Sequence, residues 1–115
     1  MDIIEKRTIR RYKGFTVIFK ALAEHDLDLS WSDDPYQLGE DIDQGHLIAF
    51  CACVELHYKH ILLADEYLGQ CIYKSIDEFI NIRDGYFDDM VESAFLEGRR
   101  ELVKLRDGMN SITLK

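Results

Sequence analysis

Hydrophobic residues recur at every second position in the stretch that follows the first glycine. Within residues 15–23 these positions are Phe15, Val17, Phe19, Ala21 and Ala23. A period of two is typical of a strand that buries one face. Because Lys13-Gly14 is a turn signal just before this stretch, we predict two strands within Arg7–Ala23, joined at that turn.

The same period returns in the middle of the chain. His46–Tyr58 predicts the strongest strand, and its two faces are Ile48, Phe50, Ala52, Val54, Leu56 and Tyr58 on one side and Leu47, Ala49, Cys51, Cys53, Glu55 and His57 on the other. Tyr67–Tyr73 predicts a shorter strand. Residues 26–45 are rich in Asp, Ser and Gly and contain the chain's single proline, so we predict a long loop with one short helical turn.

Helical signals replace the strand period after residue 74. Ser75-Ile-Asp-Glu78 is a capping box, which predicts a short helix that ends near Arg83. From Tyr86, apolar residues recur at three and four positions, which predicts an amphipathic helix of about 20 residues ending near Asp107-Gly108. The predicted order is β-β-β-β-α-α, an α+β fold in which two helices pack on one face of a four-stranded antiparallel sheet. A chain of 115 residues has the length of a single domain, residues 1–115.

The charges of the chain are distributed unevenly. Fourteen Lys and Arg face 22 Asp and Glu, a net charge of -8, yet residues 1–20 and 98–115 are both net positive. The acidic groups gather in two blocks. The first block contains Glu24, Asp26, Asp28, Asp33, Asp34, Glu40, Asp41 and Asp43, and the second contains Asp77, Glu78, Asp84, Asp88, Asp89, Glu92 and Glu97. We interpret these blocks as a patterned surface of a folded domain.

Composition excludes several classes of protein. The negative charge disfavours a phosphate-binding surface over the chain as a whole, so we expect no direct nucleic-acid partner. No apolar run approaches the ~18 residues of a membrane span, and charged residues occupy the start of the chain. We therefore expect a cytoplasmic protein without a membrane partner. Three cysteines fit reduced thiols, and since no catalytic or cofactor motif is present, we expect neither an enzyme nor a cofactor.

A cluster of potential metal ligands lies on the strongest strand and after it. Cys51, Cys53, His57 and His60 have a C-x-C-x3-H-x2-H spacing. The two cysteines point to the same side of a strand, which suits zinc ligation but equally suits small apolar side chains in a packed sheet. The spacing differs from that of structural zinc sites, so we favour packing and predict no metal site.

The basic N-terminal segment has two interpretations. Its cations, Lys6, Arg7, Arg10, Arg11, Lys13 and Lys20, could form a small nucleic-acid patch. On strands they do not share one face, so no dense stripe forms. We favour charge balance against the acidic blocks.

The segment that joins the last predicted strand to the first predicted helix resembles part of a known group of proteins. The residues are Asp65-Glu-Tyr67-Leu68-Gly69-Gln-Cys71-Ile-Tyr73-Lys-Ser75-Ile-Asp-Glu-Phe79, continuing at Tyr86-Phe-Asp-Asp-Met90-Val-Glu-Ser-Ala94. Over about a third of the chain they resemble small acidic proteins of bacteriophages and mobile elements, some of which are anti-CRISPR or other anti-defence inhibitors. The resemblance implies a host-defence partner and no enzymatic activity, and it carries over no site residues.

We therefore expect an inhibitor that binds a basic, nucleic-acid-handling host protein through its acidic surface, as a DNA mimic. The candidate contact residues are Asp26, Asp28, Asp33, Asp34, Asp41, Asp88, Asp89 and Glu92. Two alternatives stay open. One is a homodimeric interaction module whose interface is Leu47, Ala49, Cys51 and Cys53, and the other is an immunity-type protein that neutralises a basic toxin.

Overall fold

The computed structural model describes residues 2–113, with side chains as far as residue 108. Its elements are β1 (Ile3–Tyr12), β2 (Phe15–Ala23), α1 (Pro35–Asp43), β3 (Ile48–Tyr58), β4 (Ile61–Tyr73), α2 (Ile76–Asn81) and α3 (Tyr86–Thr113). The four strands form one antiparallel sheet in the order β1-β2-β3-β4. The predicted α+β class and the antiparallel sheet followed by helices are confirmed.

The core lies between one face of the sheet and the helices α2 and α3. Alternate residues of β2 and β3 form the sheet side of this core. Phe19 of β2 lies directly opposite Val54 of β3. Phe79 of α2 and Phe87 of α3 close it from above, with the Phe79 ring centroid 5.9 Å from that of Phe19 and 6.2 Å from that of Phe87. The face of β3 that carries Phe50, Ala52, Val54 and Leu56 belongs to this core, whereas Cys51 and Cys53 on its other face are buried in a separate small cluster.

Residues 26–45 were predicted to be a long loop with one short helical turn, but Pro35–Asp43 within them form a nine-residue helix, α1. The Asp34 side chain accepts a hydrogen bond from the Gln37 backbone amide at 3.0 Å, and Pro35 occupies the first turn. Proline is tolerated in the first turn of a helix because the N–H that it lacks would have no intrahelical partner at that position. The element order is consequently β-β-α-β-β-α-α.

The boundaries of several other elements also differ from the prediction. β1 begins at Ile3 and β4 at Ile61, earlier than expected, and α3 continues through Gly108 to Thr113. The pairing of β3 with β4 shifts register between Leu56 and His57, which breaks the alternation of apolar residues from which the start of β4 was predicted. α2 ends at Asn81, two residues before the predicted end.

The molecule is elongated, with principal extents of 65 × 25 × 24 Å. The 28 residues of α3 span about 42 Å, which is close to the ~43 Å of the 13-residue strand β4 on which the helix packs. None of the helices described here combines the length and apolar character needed to cross a membrane.

Candidate functional site

The topology places both acidic blocks at the same end of the sheet. β2 and β4 both run antiparallel to β3, so their final residues, Ala23 and Tyr73, lie at the same end of the sheet, beside the start of β3. The first block follows β2 and most of the second follows β4. A hydrogen bond joins the start of the first block to β4, since Glu24 Oε1 accepts from the backbone amide of Gln70 at 2.8 Å. We call the surface formed by residues 24–43 and 77–92 the acidic end.

Four of the predicted contact carboxylates are bound within the chain. Asp28 accepts from the backbone amide and the hydroxyl of Ser30, at 3.0 and 2.6 Å, and these hydrogen bonds lower the pKa of Asp28. Asp34 caps α1. Asp41 accepts from Gln37 Nε2 at 3.0 Å, and Asp88 accepts from a backbone amide at 2.8 Å. These carboxylates shape the surface, which limits their freedom to reorient towards a partner.

The other four, Asp26, Asp33, Asp89 and Glu92, are exposed and bind no side chain among the described residues. They come from both blocks, two from each. Because they retain their hydration and free rotation, they are the carboxylates best placed to meet cationic groups of a partner.

Three exposed aromatic side chains lie among these carboxylates. Trp31 is 64% exposed, Tyr36 is 77% exposed and Tyr86 is 63% exposed. Trp31 and Tyr86 line the same shallow pocket of about 290 Å³ at the end of β4, so the loop after β2 meets the start of α3 there. Trp31 and Tyr36 were not among the contact residues predicted from the sequence. The available signal was the occurrence of the chain's single tryptophan in a polar, acidic loop.

An apolar groove continues from the acidic end along α3. It has a volume of about 630 Å³ and runs between β1 and α3, with Ile9, Val17, Phe87, Val91 and Phe95 as its apolar lining. Asp88 and Glu92 border it on the helix side, and Arg10 borders it on the strand side. Two of the predicted contact residues therefore flank an apolar surface.

The cations of the basic N-terminal segment fall into two groups in the fold. Arg7 forms ion pairs with Glu5 and Asp77, and Lys20 Nζ lies 2.9 Å from Glu55 Oε2. These two cations do balance acidic groups. The remaining four, Lys6, Arg10, Arg11 and Lys13, form no ion pair with any carboxylate that the structure describes.

The cysteines proposed for zinc binding or for a dimer face are buried within one chain. Cys51 and Cys53 are 6% and 1% exposed, and they pack with Leu22 on the sheet face opposite the helices. Burial raises the pKa of both thiols, which keeps them protonated at neutral pH. Leu47 and Ala49 are half-buried. An interface made from these four residues would have few atoms left to cover, and a homodimer of another kind stays a prediction.

The histidines of the same cluster lie apart from the thiols. His57 Nε2 is 3.0 Å from Glu55 Oε1, and His60 belongs to the exposed turn between β3 and β4. No group of three or more His, Cys, Asp or Glu within the described residues is arranged to hold a metal ion.

Comparison of the chain with known protein families, with curated proteins and with solved structures gives no match.

Proposed function

We propose that this protein is an inhibitor that docks its acidic end on the basic surface of a nucleic-acid-handling protein and occupies the place of the nucleic acid. The resemblance of residues 65–94 to small phage and mobile-element proteins gives the setting, in which the partner is a host-defence complex and the inhibitor acts in the host cytoplasm.

The observation that carries this proposal is the combination of exposed aromatic side chains with free carboxylates at one end of the molecule. Protein interfaces are enriched in Tyr and Trp at their centre and are polar at their rim. Trp31 and Tyr86 supply such a centre, and exposed carboxylates follow each of them closely in the chain, Asp33 after Trp31 and Asp89 after Tyr86. A solvated acidic face with no binding role does not need exposed aromatic residues.

The spacing of the carboxylates supports mimicry of a phosphate backbone. Asp88 and Glu92 stand one turn apart on α3, which separates them by about 6 Å. The Asp84 amide binds only Oδ2 of Asp88, so its Oδ1 stays available to a partner. Successive phosphates along one nucleic-acid strand have a similar spacing, so a groove lined with Lys and Arg for phosphates accommodates this pair.

The experiment is a pull-down from host lysate with the captured protein identified by mass spectrometry and then purified for binding measurements. A partner of the proposed kind is released by competing DNA. Trp31→Ala removes the aromatic anchor, and we expect affinity to fall roughly 30-fold, as for the central aromatic of an interface.

Tyr12→Ala is the matched control, because Tyr12 is 59% exposed but lies at the opposite end of the sheet. For charge, Asp33→Asn/Asp89→Asn is compared with Asp65→Asn/Asp107→Asn, which changes the net charge equally away from the acidic end. If the two double variants bind the partner alike at low and high salt, the acidic end is not the docking surface.

A further inference from the structure

The opposite end of the sheet gathers cations from three separate parts of the chain. The backbone amide of Lys59, in the β3–β4 turn, donates to the carbonyl of Gly14 in the β1–β2 turn at 3.1 Å, so the two turns are adjacent. The second half of α3 arrives at the same place, since Leu102 and Arg106 line a groove together with Lys13. We call this surface the basic end, and its cations are Arg11, Lys13, Lys59, Arg99, Arg100, Lys104 and Arg106.

Few acidic groups offset these charges. Glu97, Glu101 and Asp107 are the carboxylates of this half of α3, and each pairs with a cation of the same helix at 3.3–3.5 Å. Seven cations against three carboxylates leave the basic end at about +4 in a chain whose net charge is -8. The molecule is therefore strongly polar along its 65 Å axis.

The basic end also exposes apolar surface. The groove there has a volume of about 350 Å³, and Phe15, Tyr58, Leu102 and Val103 form its apolar lining between the cationic Lys13 and Arg106. Leu96, Val103 and Leu105 are about half exposed on α3. An occupant of this groove needs apolar side chains at its centre and negative charge around them.

We propose that the basic end binds the acidic end of a second copy, so that the protein associates head to tail. The acidic end has the required composition, with Trp31 and Tyr86 exposed among free carboxylates. Pairing two basic ends would bring like charges together, which is unfavourable. A double-stranded nucleic acid would satisfy the cations of the groove, but its bases are stacked inside the duplex and would leave the apolar lining without a matching partner. Single-stranded DNA, whose bases stack on aromatic side chains, is the competing occupant that the experiment tests.

The shape of the molecule limits the strength of this contact. The cross-section is 25 × 24 Å, so an end-to-end contact buries roughly 600 Å² on each copy, below the ~800 Å² of a standard interface. Because the two surfaces differ, the contact is heterologous and each copy can bind one neighbour at either end. We expect weak association that grows with concentration and weakens with salt.

Sedimentation velocity at about 1 mM protein and 0.05 M salt tests this proposal, because charged groups are weakly screened there. The mean mass of the wild type is expected to rise with concentration and to return to 13.5 kDa at about 0.5 M salt. Asp33→Asn/Asp89→Asn weakens the acidic end, and Lys13→Gln/Arg106→Gln weakens the basic end. Each variant alone is expected to stay monomeric.

Mixing the two variants gives the decisive measurement. Each retains one intact end, and these ends are complementary, so an equimolar mixture should form a dimer of about 27 kDa, twice 13.5 kDa, and nothing larger. Asp65→Asn/Lys6→Gln, which removes one charge of each sign from the sheet face opposite the helices, should associate like the wild type. Circular dichroism verifies that all variants are folded.

Three results would overturn the proposal. The first is a wild type that stays monomeric at 1 mM in low salt. The second is a mixture that forms no dimer although the wild type associates. The third is tight binding of a fluorescent single-stranded DNA by monomeric wild type that Lys13→Gln/Arg106→Gln abolishes. Lys13→Gln/Arg106→Gln keeps its acidic end and should still capture the partner protein of the proposed inhibitor. A failure of self-association can therefore be distinguished from a failure of the inhibitor function.

Discussion

Glu55 lies on the sheet face away from the helices, between two cationic or ionisable neighbours. Its carboxylate oxygens are 2.9 Å from Lys20 Nζ and 3.0 Å from His57 Nε2. Burial disfavours the ionised form, but the hydrogen bonds from His57 and Lys20 outweigh it and lower the pKa of Glu55 below its ordinary 4.5. A carboxyl group with a lowered pKa stabilises the fold above its unfolded pKa, and this contribution disappears as pH falls through the folded pKa.

Glu55→Gln should therefore reduce the free energy of unfolding at pH 7 by about 1–2 kcal/mol, because the hydrogen bonds to a charged acceptor are lost. The difference from the wild type should shrink as pH falls below about 4.5 and vanish once Glu55 is protonated in the folded protein. Urea unfolding at several pH values measures both. Glu92→Gln, at an exposed carboxylate, is the control, and an equal loss at pH 3 and pH 7 would contradict the charge cluster.

The three thiols are also governed by local surroundings. Burial raises the pKa of Cys51 and Cys53, and it raises that of Cys71 to about 11. Since the thiolate is the reactive form, Ellman's reagent at pH 8 should modify the native protein at least about a hundredfold more slowly than the protein in urea, which should show three thiols. A single rapidly modified thiol in the native protein would indicate an accessible site that the structure does not contain.

At the scale of elements, α3 depends on a close approach to the sheet. A Cβ atom added at Gly98 would lie 2.5 Å from Leu56 Cδ2. Leu56 is fully buried and cannot swing aside. The glycine therefore lets the helix pack against β3, although glycine is otherwise unfavourable within a helix.

Gly98→Ala and Gly108→Ala form a matched pair on this helix. We expect Gly98→Ala to lower the free energy of unfolding by about 1–3 kcal/mol through overpacking. Gly108 has no described atom within 4 Å of an added Cβ, so Gly108→Ala should raise stability by up to about 1 kcal/mol through helix propensity. Chemical denaturation followed by circular dichroism measures both, and a stabilised Gly98→Ala would show that Leu56 can repack.

Sequence patterns correctly predicted the features that depend only on neighbouring residues. One is the turn at Lys13-Gly14. Another is the helix cap at Ser75, whose hydroxyl accepts a hydrogen bond from the Glu78 amide at 3.1 Å. The start of β4 depends on pairing with β3, and a period count cannot detect that. α1 was missed because a proline was interpreted as a loop residue, whereas Asp34-Pro35 begins a helix.

At the scale of the whole molecule, the sequence shows two acidic blocks and two basic termini but not their arrangement. That arrangement follows from the antiparallel topology, which sends the segments after β2 and β4 to one end and the two hairpin turns to the other. The position of Trp31 in an acidic loop is visible in the sequence, but its exposure beside Tyr86 could not be predicted, because exposure is a property of the folded surface.

The clustering of charge should affect ion-exchange chromatography in a way that net charge alone does not. Two double variants have the same net charge, Asp33→Asn/Asp89→Asn and Asp65→Asn/Asp107→Asn. The Asp33→Asn/Asp89→Asn variant should elute from an anion exchanger at clearly lower salt, because it loses charge from the acidic end, which is the surface that binds the resin. The wild type should elute last. Coelution of the two variants would show that the resin responds to total charge alone.

The exposure of Trp31 gives the protein a built-in optical reporter. As the chain's single tryptophan, it accounts for the indole fluorescence, and its ring is open to solvent among carboxylates. A cationic quencher such as caesium concentrates near such a ring, whereas iodide is repelled. Unequal quenching by the two ions should therefore report the state of this surface, and the inequality should diminish whenever another molecule covers it.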